Sequence, residues 1–331
     1  MLLDILFTVA SLALILFACF LFTNAVEGLG KALKLGQGVV GSILAAVGTA
    51  LPETVIPIIA IVVLGDAGSK EIGVGAIAGA PFMLSTLAFF VTGSAVLLYS
   101  LAGKRTRKMN ADVKVLSRDL GFFLAIYTVA VLTTFIRQLV VVKDIIAVAL
   151  LLSYALYVKR TLGGDSEGCE DAGPLFFAKL AKAKTNLGWI LLQLIVALAG
   201  IVFGAQLFVG FVEDLAGSLH VAPLILSIII TPIATELPEK FNSVIWTGRK
   251  RDTLALGNIT GAMVFQSCFP VVFGMVFTDW HLTGTTLISA GLAILSAGFN
   301  LAWMKIRKTV NPFALLISGA LYAALMVYIF R

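Results

Sequence analysis

Two glutamates follow prolines inside long hydrophobic stretches of the sequence, and both belong to the same short motif. The first occurrence is Gly48-Thr49-Ala50-Leu51-Pro52-Glu53, and the second, 186 residues later, is Ala234-Thr235-Glu236-Leu237-Pro238-Glu239. Ionisable residues are rare within membrane spans because a charge in hydrocarbon is costly, and those that occur mark ion or substrate pathways. Two such residues in matched motifs indicate one functional site.

Each motif brings several kinds of oxygen atom together. A proline removes the amide that would bond the carbonyl four residues earlier, so Pro52 frees the carbonyl of Gly48. A freed carbonyl in hydrocarbon costs several kcal/mol unless it lines a cavity or finds a partner. Carbonyl, hydroxyl and carboxylate oxygens are the ligands that hard cations such as calcium, sodium and magnesium take. The sequence therefore predicts a cation site that contains Glu53, Glu239, Thr49 and Thr235.

The two motifs lie within a longer internal repeat. A gapless alignment of Val26–Thr54 with Val212–Lys240 pairs identical residues at nine of 29 positions, including Glu27 with Glu213. Apolar helices share leucine and isoleucine by chance, but not a Thr-x-Leu-Pro-Glu segment in register. We interpret the repeat as an internal duplication of the kind that builds transporters.

The composition is that of a polytopic membrane protein. Hydrophobic residues make up 60% of the chain and charged residues 13%, whereas soluble domains carry about 25% charged residues. Apolar runs of roughly 20 residues predict transmembrane helices. The predicted spans lie near residues 4–26, 37–64, 72–101, 117–136, 140–158, 187–211, 221–247, 253–278, 283–304 and 311–330. We therefore predict an all-α membrane protein with ten transmembrane helices.

The ten spans divide into two halves of five. We predict an N-terminal five-helix repeat at 1–158, a cytoplasmic linker at 159–186 and a C-terminal five-helix repeat at 187–331. The linker is rich in glycine and acidic residues, and a solvated segment is favoured over a site for a regulatory cation. Because five is odd, the two repeats must insert in opposite orientations, which is the inverted-repeat plan of secondary transporters.

Lysine and arginine are distributed unevenly between the two sides of the predicted membrane protein. One set of alternate loops carries nineteen of them and the other side carries four. Since the basic loops of membrane proteins face the cytoplasm, both termini are expected outside, in a protein integral to the plasma (inner) membrane. The formal charge of +6 is thus a topology signal, and no nucleic-acid partner is expected.

The span that follows each motif is rich in glycine, which permits close helix approach. Gly73, Gly75 and Gly79 lie in the first half, and Gly257 and Gly261 in the second. The second of these spans also contains polar side chains, Asn258 and Gln266. The glycine spacing is not that of a dinucleotide-binding fingerprint, and no bound cofactor is expected.

These motifs resemble the α-repeats of the sodium/calcium exchanger superfamily of calcium/cation antiporters. Those repeats carry Gly-Thr-Ser-x-Pro-Glu, followed by a glycine-rich helix with Gly-Asn-x-x-Gly-Ser-Asn. The resemblance covers essentially the whole chain, with the repeats at residues 36–94 and 222–278. It implies that Glu53 and Glu239 are the central calcium-binding carboxylates, with oxygens of Thr49 and Thr235 beside them. It also implies that spans one and six slide across the other eight to give alternating access.

The chain departs from the family pattern at several positions that line ion sites in relatives. Asn258 is kept in the second repeat. The residues that differ are Ala50 and Glu236 in place of the motif serines, Ala80 and Ala262 in place of serines in the glycine-rich spans, Leu84 in place of an asparagine, and Gln266 in place of an acidic residue. Asn258, Glu236 and Gln266 complete the set of candidate ligands, and the counter-ion stays open between sodium and protons.

Glu236 and Lys240 form a further charge pair at the spacing where glutamate and lysine side chains meet on a helix. If these two charges neutralise each other, Glu53 and Glu239 leave a site of charge minus two, which suits one divalent ion. If Lys240 instead turns into the cavity, it stands in for a cation. A third interpretation is that the pair only anchors the motif helix.

Together these observations predict a secondary active antiporter that moves a divalent cation, with calcium favoured, in exchange for sodium or protons. The alternatives are a transporter of the same fold for magnesium or a monovalent cation, and a membrane regulator with a degenerate site. An intramembrane enzyme with Glu236 and Glu239 as acid and base is disfavoured, since no histidine lies in a predicted span. The expected partners are the transported cations and the lipid bilayer, with no obligate protein partner evident.

Overall fold

The computed structural model describes residues 2–50, 53–54, 57–58, 61–62, 67–163, 173–218, 236–282 and 284–329. Regular structure in these ranges is helical, with turns and short loops between the helices. In chain order the helices are α1 (Leu2–Ala32), α2 (Gln37–Thr49), α3 (67–101), α4 (Val113–Leu132), α5 (Val140–Leu162), α6 (Phe176–Leu180), α7 (Leu187–Ser218), α8 (Leu237–Gly248), α9 (Asp252–Phe277), α10 (Gly284–Arg307) and α11 (Pro312–Ile329).

Eight of the described helical segments are long and apolar enough to cross a membrane. They are Val9–Ala32, Gly73–Leu101, Val113–Ile136, Val140–Leu162, Leu187–Gly204, Asp252–Phe277, Gly284–Arg307 and Pro312–Ile329. The two other predicted spans, 37–64 and 221–247, contain residues outside the described ranges, and α2 and α8 are the parts of them that the structure shows. The prediction of an all-α membrane protein is confirmed, while the full count of ten spans stays a prediction.

Helix α9 is the centre of the bundle. It is buried along nearly its whole length and packs against α2, α3, α4, α5 and α8. The close approach of α2 depends on glycine, because a Cβ atom at Gly261 would overlap the backbone of Ser42. The glycines of α9, predicted to allow close packing, therefore let the first motif helix approach the span that also carries Asn258.

This contact predicts a large effect of a single methyl group. We expect Gly261→Ala to destabilise the protein strongly, because α2 must move away from α9 to accommodate the added carbon. Gly298→Ala is the matched control, since a Cβ there has no neighbour within 4 Å, and it removes a glycine from the interior of α10. Thermal unfolding of both variants in detergent measures the difference, and equal stability of the two variants would contradict the packing described here.

Two helices contain π-helical turns near the motif regions. Val40–Ala45 is π-helical within α2, and Leu84–Ala88 is π-helical within α3. Such turns insert an extra residue into the helical register and are frequent at functional sites. The turn in α2 sets the direction of the last helical residues before the first proline-glutamate pair, including Thr49.

Helices α1 and α7 form a pair at the side of the bundle. They pack against each other along their length, and α1 also contacts α2 and α8. The contact between α1 and α8 includes a buried charge: Glu27 accepts a hydrogen bond from Trp246 Nε1 at 2.7 Å and lies 3.1 Å from Arg249 Nη1. Helices α1 and α7 are the first and sixth of the predicted spans.

The predicted linker at 159–186 is partly docked on this helix pair. Its N-terminal residues continue α5, which ends at Leu162, and its C-terminal part contains α6. Asn24 Oδ1 of α1 accepts from the amide of Phe176 at 2.9 Å, and Gln193 Oε1 of α7 accepts from the amide of Phe177 at 2.8 Å. The segment around α6 is thus tied to α1 and α7, although most of its side chains are exposed, and the predicted division of the chain at this linker stays a prediction. The acidic run at 165–171 lies outside the described residues.

Candidate cation site

The first motif reaches the site at the end of α2. Thr49 is the last residue of that helix and is fully buried. Its hydroxyl lies 3.1 Å from the carbonyl oxygen of Ala45 and 3.2 Å from Oδ1 of Asn258, so it donates to one of these oxygens at a time. A threonine at a helix end that bonds back to the preceding turn keeps a hydroxyl oxygen directed into the protein.

Asn258 connects the two motifs. Besides its contact with Thr49, its Nδ2 donates to the backbone carbonyl of Glu239 at 3.4 Å. Asn258 lies on α9, and Glu239 lies in the first turn of α8, which begins beside Pro238. Asn258, which this chain shares with the family pattern in its second repeat, therefore bridges the first motif and the second.

The two motif carboxylates have no hydrogen-bonding partners. Both oxygens of Glu53 and both oxygens of Glu239 are buried without a donor, and Glu239 is fully inaccessible to solvent. Among the charged residues that act on Glu53 electrostatically, Glu239 acts most strongly. A buried carboxylate without a partner costs several kcal/mol, and a positively charged ligand would offset that cost.

Two buried amides add unpaired polar atoms. Gln266 and Asn242 are both almost inaccessible to solvent, and neither amide oxygen nor nitrogen of either residue has a partner. Gln266 lies on α9, eight residues beyond Asn258 or about 12 Å along the helix axis. Pro270 also frees the backbone carbonyl of Gln266 by the same mechanism as the motif prolines.

Asn242 was not among the predicted site residues. It follows Glu239 by one helical turn on α8, and that spacing next to an intramembrane glutamate is the signal that could have identified it.

The charge pair expected from the helical spacing is present. Lys240 Nζ lies 2.8 Å from Glu236 Oε2, and both side chains are buried. Of the three open interpretations of this pair, the direct contact between the ammonium group and the carboxylate fits two, mutual neutralisation and anchoring of the motif helix. Glu236 lies one helical turn before Glu239, and one of its carboxylate oxygens is bound to Lys240.

The other predicted ligands are placed as follows. Asn258 contacts both the Thr49 hydroxyl and the backbone carbonyl of Glu239, and Glu53 interacts electrostatically with Glu239. Gln266 is buried and unpaired on the same helix as Asn258, and Thr235 lies outside the described residues. In the described ranges, no three His, Cys, Asp or Glu side chains converge as the ligands of a resident metal centre do.

A buried carboxylate outside the motifs was missed by the sequence interpretation. Asp119 on α4 is fully buried, accepts from Ser42 Oγ at 2.5 Å and from Thr260 Oγ1 at 2.9 Å, and lies 2.9 Å from Arg118. Its position inside a predicted span was a sufficient signal. It holds α2, α4 and α9 together, and all of its interactions are satisfied within the protein.

Comparison with solved structures shows the fold of a known transporter. Structures of the sodium-calcium exchanger NCX_Mj soaked with 2.5 mM Na⁺ and 0.1 mM Ca²⁺, and with 2.5 mM Na⁺ and 10 mM Sr²⁺, match this chain with TM-scores of 0.75 and 0.74. Each match covers 98% of both chains at 20% sequence identity. At this identity the likeness establishes a shared fold.

Comparison with curated proteins gives a relative that matches part of the chain. An uncharacterised membrane protein of Methanocaldococcus jannaschii is 26% identical over 149 residues. The match covers 45% of this chain and 46% of the relative, so the chain aligns with about half of that protein's length.

The family assignment rests on a match that extends over both halves. The family model described as sodium/calcium exchanger protein matches residues 3–162 and 189–331, which include both proline-glutamate motifs. This family and the shared fold support a cation antiporter. This membrane chain therefore belongs to the sodium/calcium exchanger protein family.

Proposed function

We propose that this protein is an antiporter that exports a divalent cation, with calcium as the cargo, in exchange for sodium or protons. The observation that carries the proposal is the state of the motif glutamates: all four oxygens of Glu53 and Glu239 are buried and lack a donor or a cationic partner. A divalent cation compensates both charges at once and takes oxygen ligands of this type. The Thr49 hydroxyl and the unpaired Gln266 amide supply neutral oxygens for the remaining positions.

The proposed architecture is that of two inverted five-helix repeats, with the motif glutamates near the middle of the membrane. The two motifs enter the membrane from opposite faces. The sequence similarity between Val26–Thr54 and Val212–Lys240 supports this arrangement. The α1 and α7 pair is the element that we propose to slide across the rest of the bundle. Among the described helices, α7 contacts α1 far more extensively than any other helix, which supports movement of the two as a unit.

Ion flux in proteoliposomes tests the proposal. We expect the purified protein to take up calcium when an opposing sodium or proton gradient is imposed, and to stop when that gradient is removed. Running both gradients separately identifies the counter-ion. Calcium flux that is independent of either gradient, or no calcium flux in sealed vesicles that contain folded protein, would overturn the proposed antiport.

A second cargo remains a candidate because of Gln266. Its neutral amide stands where relatives place an acidic group, which leaves two unpaired carboxylates at the site. Two carboxylates also suit magnesium or two monovalent cations. Competition decides between the cargoes: excess magnesium should leave calcium uptake almost unchanged if calcium is the substrate, and should suppress it if magnesium is.

The proposed orientation, with both termini outside the plasma membrane, gives a labelling prediction. In a background without Cys19, Cys169 and Cys268, a cysteine at Thr106 should be protected from impermeant thiol reagents in intact cells, whereas one at Lys70 should react. Thr106 is exposed in the loop between α3 and α4, so permeabilising the cells should release its protection. The reverse labelling pattern would contradict the orientation deduced from the basic loops.

A further inference from the structure

Ser42 lies in the π-helical turn of α2 and is held by three neighbouring helices. Its hydroxyl donates to Asp119 Oδ2 of α4 at 2.5 Å, and its backbone carbonyl accepts from the Tyr157 hydroxyl of α5 at 3.3 Å. The third helix is α9, where a Cβ atom at Gly261 would overlap the Ser42 backbone. Ser42 and Asp119 are both inaccessible to solvent. This position of α2 is therefore fixed by hydrogen bonds as well as by close packing.

The π-helical turn determines the direction in which the later side chains of α2 point. Within the turn the amide of Ala46 donates to the carbonyl of Gly41, five residues earlier, whereas the amide of Ala50 donates to the carbonyl of Ala46, four residues earlier. A π-helical turn contains one more residue than an α-helical turn. If it relaxed to α-helical geometry, every later residue would rotate by about 100° around the helix axis and move about 1.5 Å along it. The Thr49 hydroxyl would then no longer point toward Asn258.

Asp119 fixes this turn relative to the helix that carries Asn258. Its Oδ2 atom also accepts from Thr260 Oγ1 at 2.9 Å, and Thr260 lies two residues after Asn258 on α9. A second bridge between α2 and α9 is the 3.2 Å contact of Thr49 with Asn258. On α2 the two bridges are seven residues apart, about two helical turns. The bridge through Asp119 therefore sets the register in which the bridge through Thr49 forms.

Asp119 performs this role without binding an ion. One carboxylate oxygen accepts from hydroxyl groups on two helices, and the other, Oδ1, lies 2.9 Å from Arg118, whose side chain is 19% exposed. The charge of Asp119 is thus balanced within the protein, in contrast to Glu53 and Glu239, whose four oxygens have no donor. Any effect of Asp119 on the cation site must be transmitted through α2 and α9.

From this arrangement we infer that Asp119 is a positioning residue for the cation site. By holding Ser42 and the π-helical turn in register with α9, it directs the Thr49 hydroxyl toward Asn258. The inference rests on the proposed antiport function and adds one residue to the site's machinery. Loss of the contact between Asp119 and Ser42 should weaken cation binding by displacing Thr49, seven residues further along α2.

A double-mutant cycle tests this role, with calcium binding to the purified protein measured by titration calorimetry. Thr49→Val keeps the shape of the side chain but removes the hydroxyl group, and it should weaken calcium binding about tenfold. Asp119→Asn should cause a similar loss, because an amide has one acceptor oxygen and cannot hold all three partners of the carboxylate. The double variant should bind calcium about as weakly as either single variant, since Thr49 is already displaced when Asp119 is changed. Residues that act independently would give a combined loss of about a hundredfold.

Ser42→Ala is a second test that leaves the other bonds of Asp119 in place, so it places less demand on folding. It should weaken calcium binding to a similar extent and should also fail to add to Thr49→Val. Ser318→Ala is the matched control, because the Ser318 hydroxyl is likewise buried and joins two helices by accepting from Asn300 Nδ2 at 2.8 Å. This control should bind calcium with wild-type affinity.

Three results would overturn the positioning role while leaving the proposed antiport intact. They are additive losses in both cycles, unchanged calcium affinity in Asp119→Asn and Ser42→Ala, and an equal loss of affinity in Ser318→Ala, which would reveal a general effect of removing buried hydroxyl groups. Absence of calcium binding by the folded wild-type protein would overturn the proposed function and the role of Asp119 within it.

Discussion

Replacing Glu53 or Glu239 with glutamine is expected to abolish calcium flux while the protein stays folded and inserted. Glutamine keeps the size of the side chain but removes a charge and replaces a ligand oxygen with an amide nitrogen that cannot bind a cation. The carboxylates of both residues are buried without partners, so neutralising one of them relieves a desolvation cost in the absence of the ion. Thermal unfolding in detergent should therefore show no loss of stability for either variant.

Asp144→Asn is the matched control for this pair. It makes the same carboxylate-to-amide change on α5, where Asp144 is exposed. Flux through this variant should equal that of the wild type under the same gradient. Calcium uptake by Glu53→Gln protein at the wild-type rate would contradict the role assigned to the motif glutamates.

Replacing Arg105 with methionine is expected to destabilise the protein by about 3–5 kcal/mol, the cost typical of leaving a buried charge unpaired. The side chain of Arg105 is 2% exposed and binds both oxygens of Asp252 at 2.8 Å. It also donates to the carbonyl of Thr247 at 2.7 Å, so one side chain ties the loop after α3 to the end of α8 and the start of α9. Denaturant or thermal unfolding of the purified variant measures the loss.

Two variants separate the charge effect from a general effect of the loop. Arg107→Met removes an exposed arginine two residues away and should leave stability almost unchanged. The double change Arg105→Met/Asp252→Asn removes the unpaired carboxylate and should recover part of the loss. Wild-type stability of Arg105→Met would show that this buried ion pair does not hold the loop.

The sequence contained the local features of the fold and of the site. Apolar runs of about 20 residues identified eight helices that the structure describes as long enough to span a membrane, because the bilayer sets that length. The pairing of Glu236 with Lys240 followed from their spacing on one helix. The glycine-rich character of the span after the second motif predicted its close packing, which Gly261 makes against Ser42.

Contacts between helices that are distant in the chain could not be predicted in the same way. Asn258 bridges Thr49 and Glu239 because α9 lies between α2 and α8, and no pattern within one helix specifies its neighbours. The docking of α6 was missed for the same reason, since its amides are bound by Asn24 and Gln193 on two other helices. Such contacts depend on the three-dimensional arrangement, which local periodicity does not determine.

Equilibrium binding of calcium to the purified protein, measured by titration calorimetry at fixed sodium concentration and pH, tests directly whether the two glutamates hold the ion. We expect one calcium ion bound per chain in the wild type, with competition from sodium or protons. This binding should be lost in Glu53→Gln and Glu239→Gln but not in Asp144→Asn. Calcium binding of unchanged affinity and stoichiometry in the glutamine variants would contradict the claim that these two carboxylates hold the transported ion.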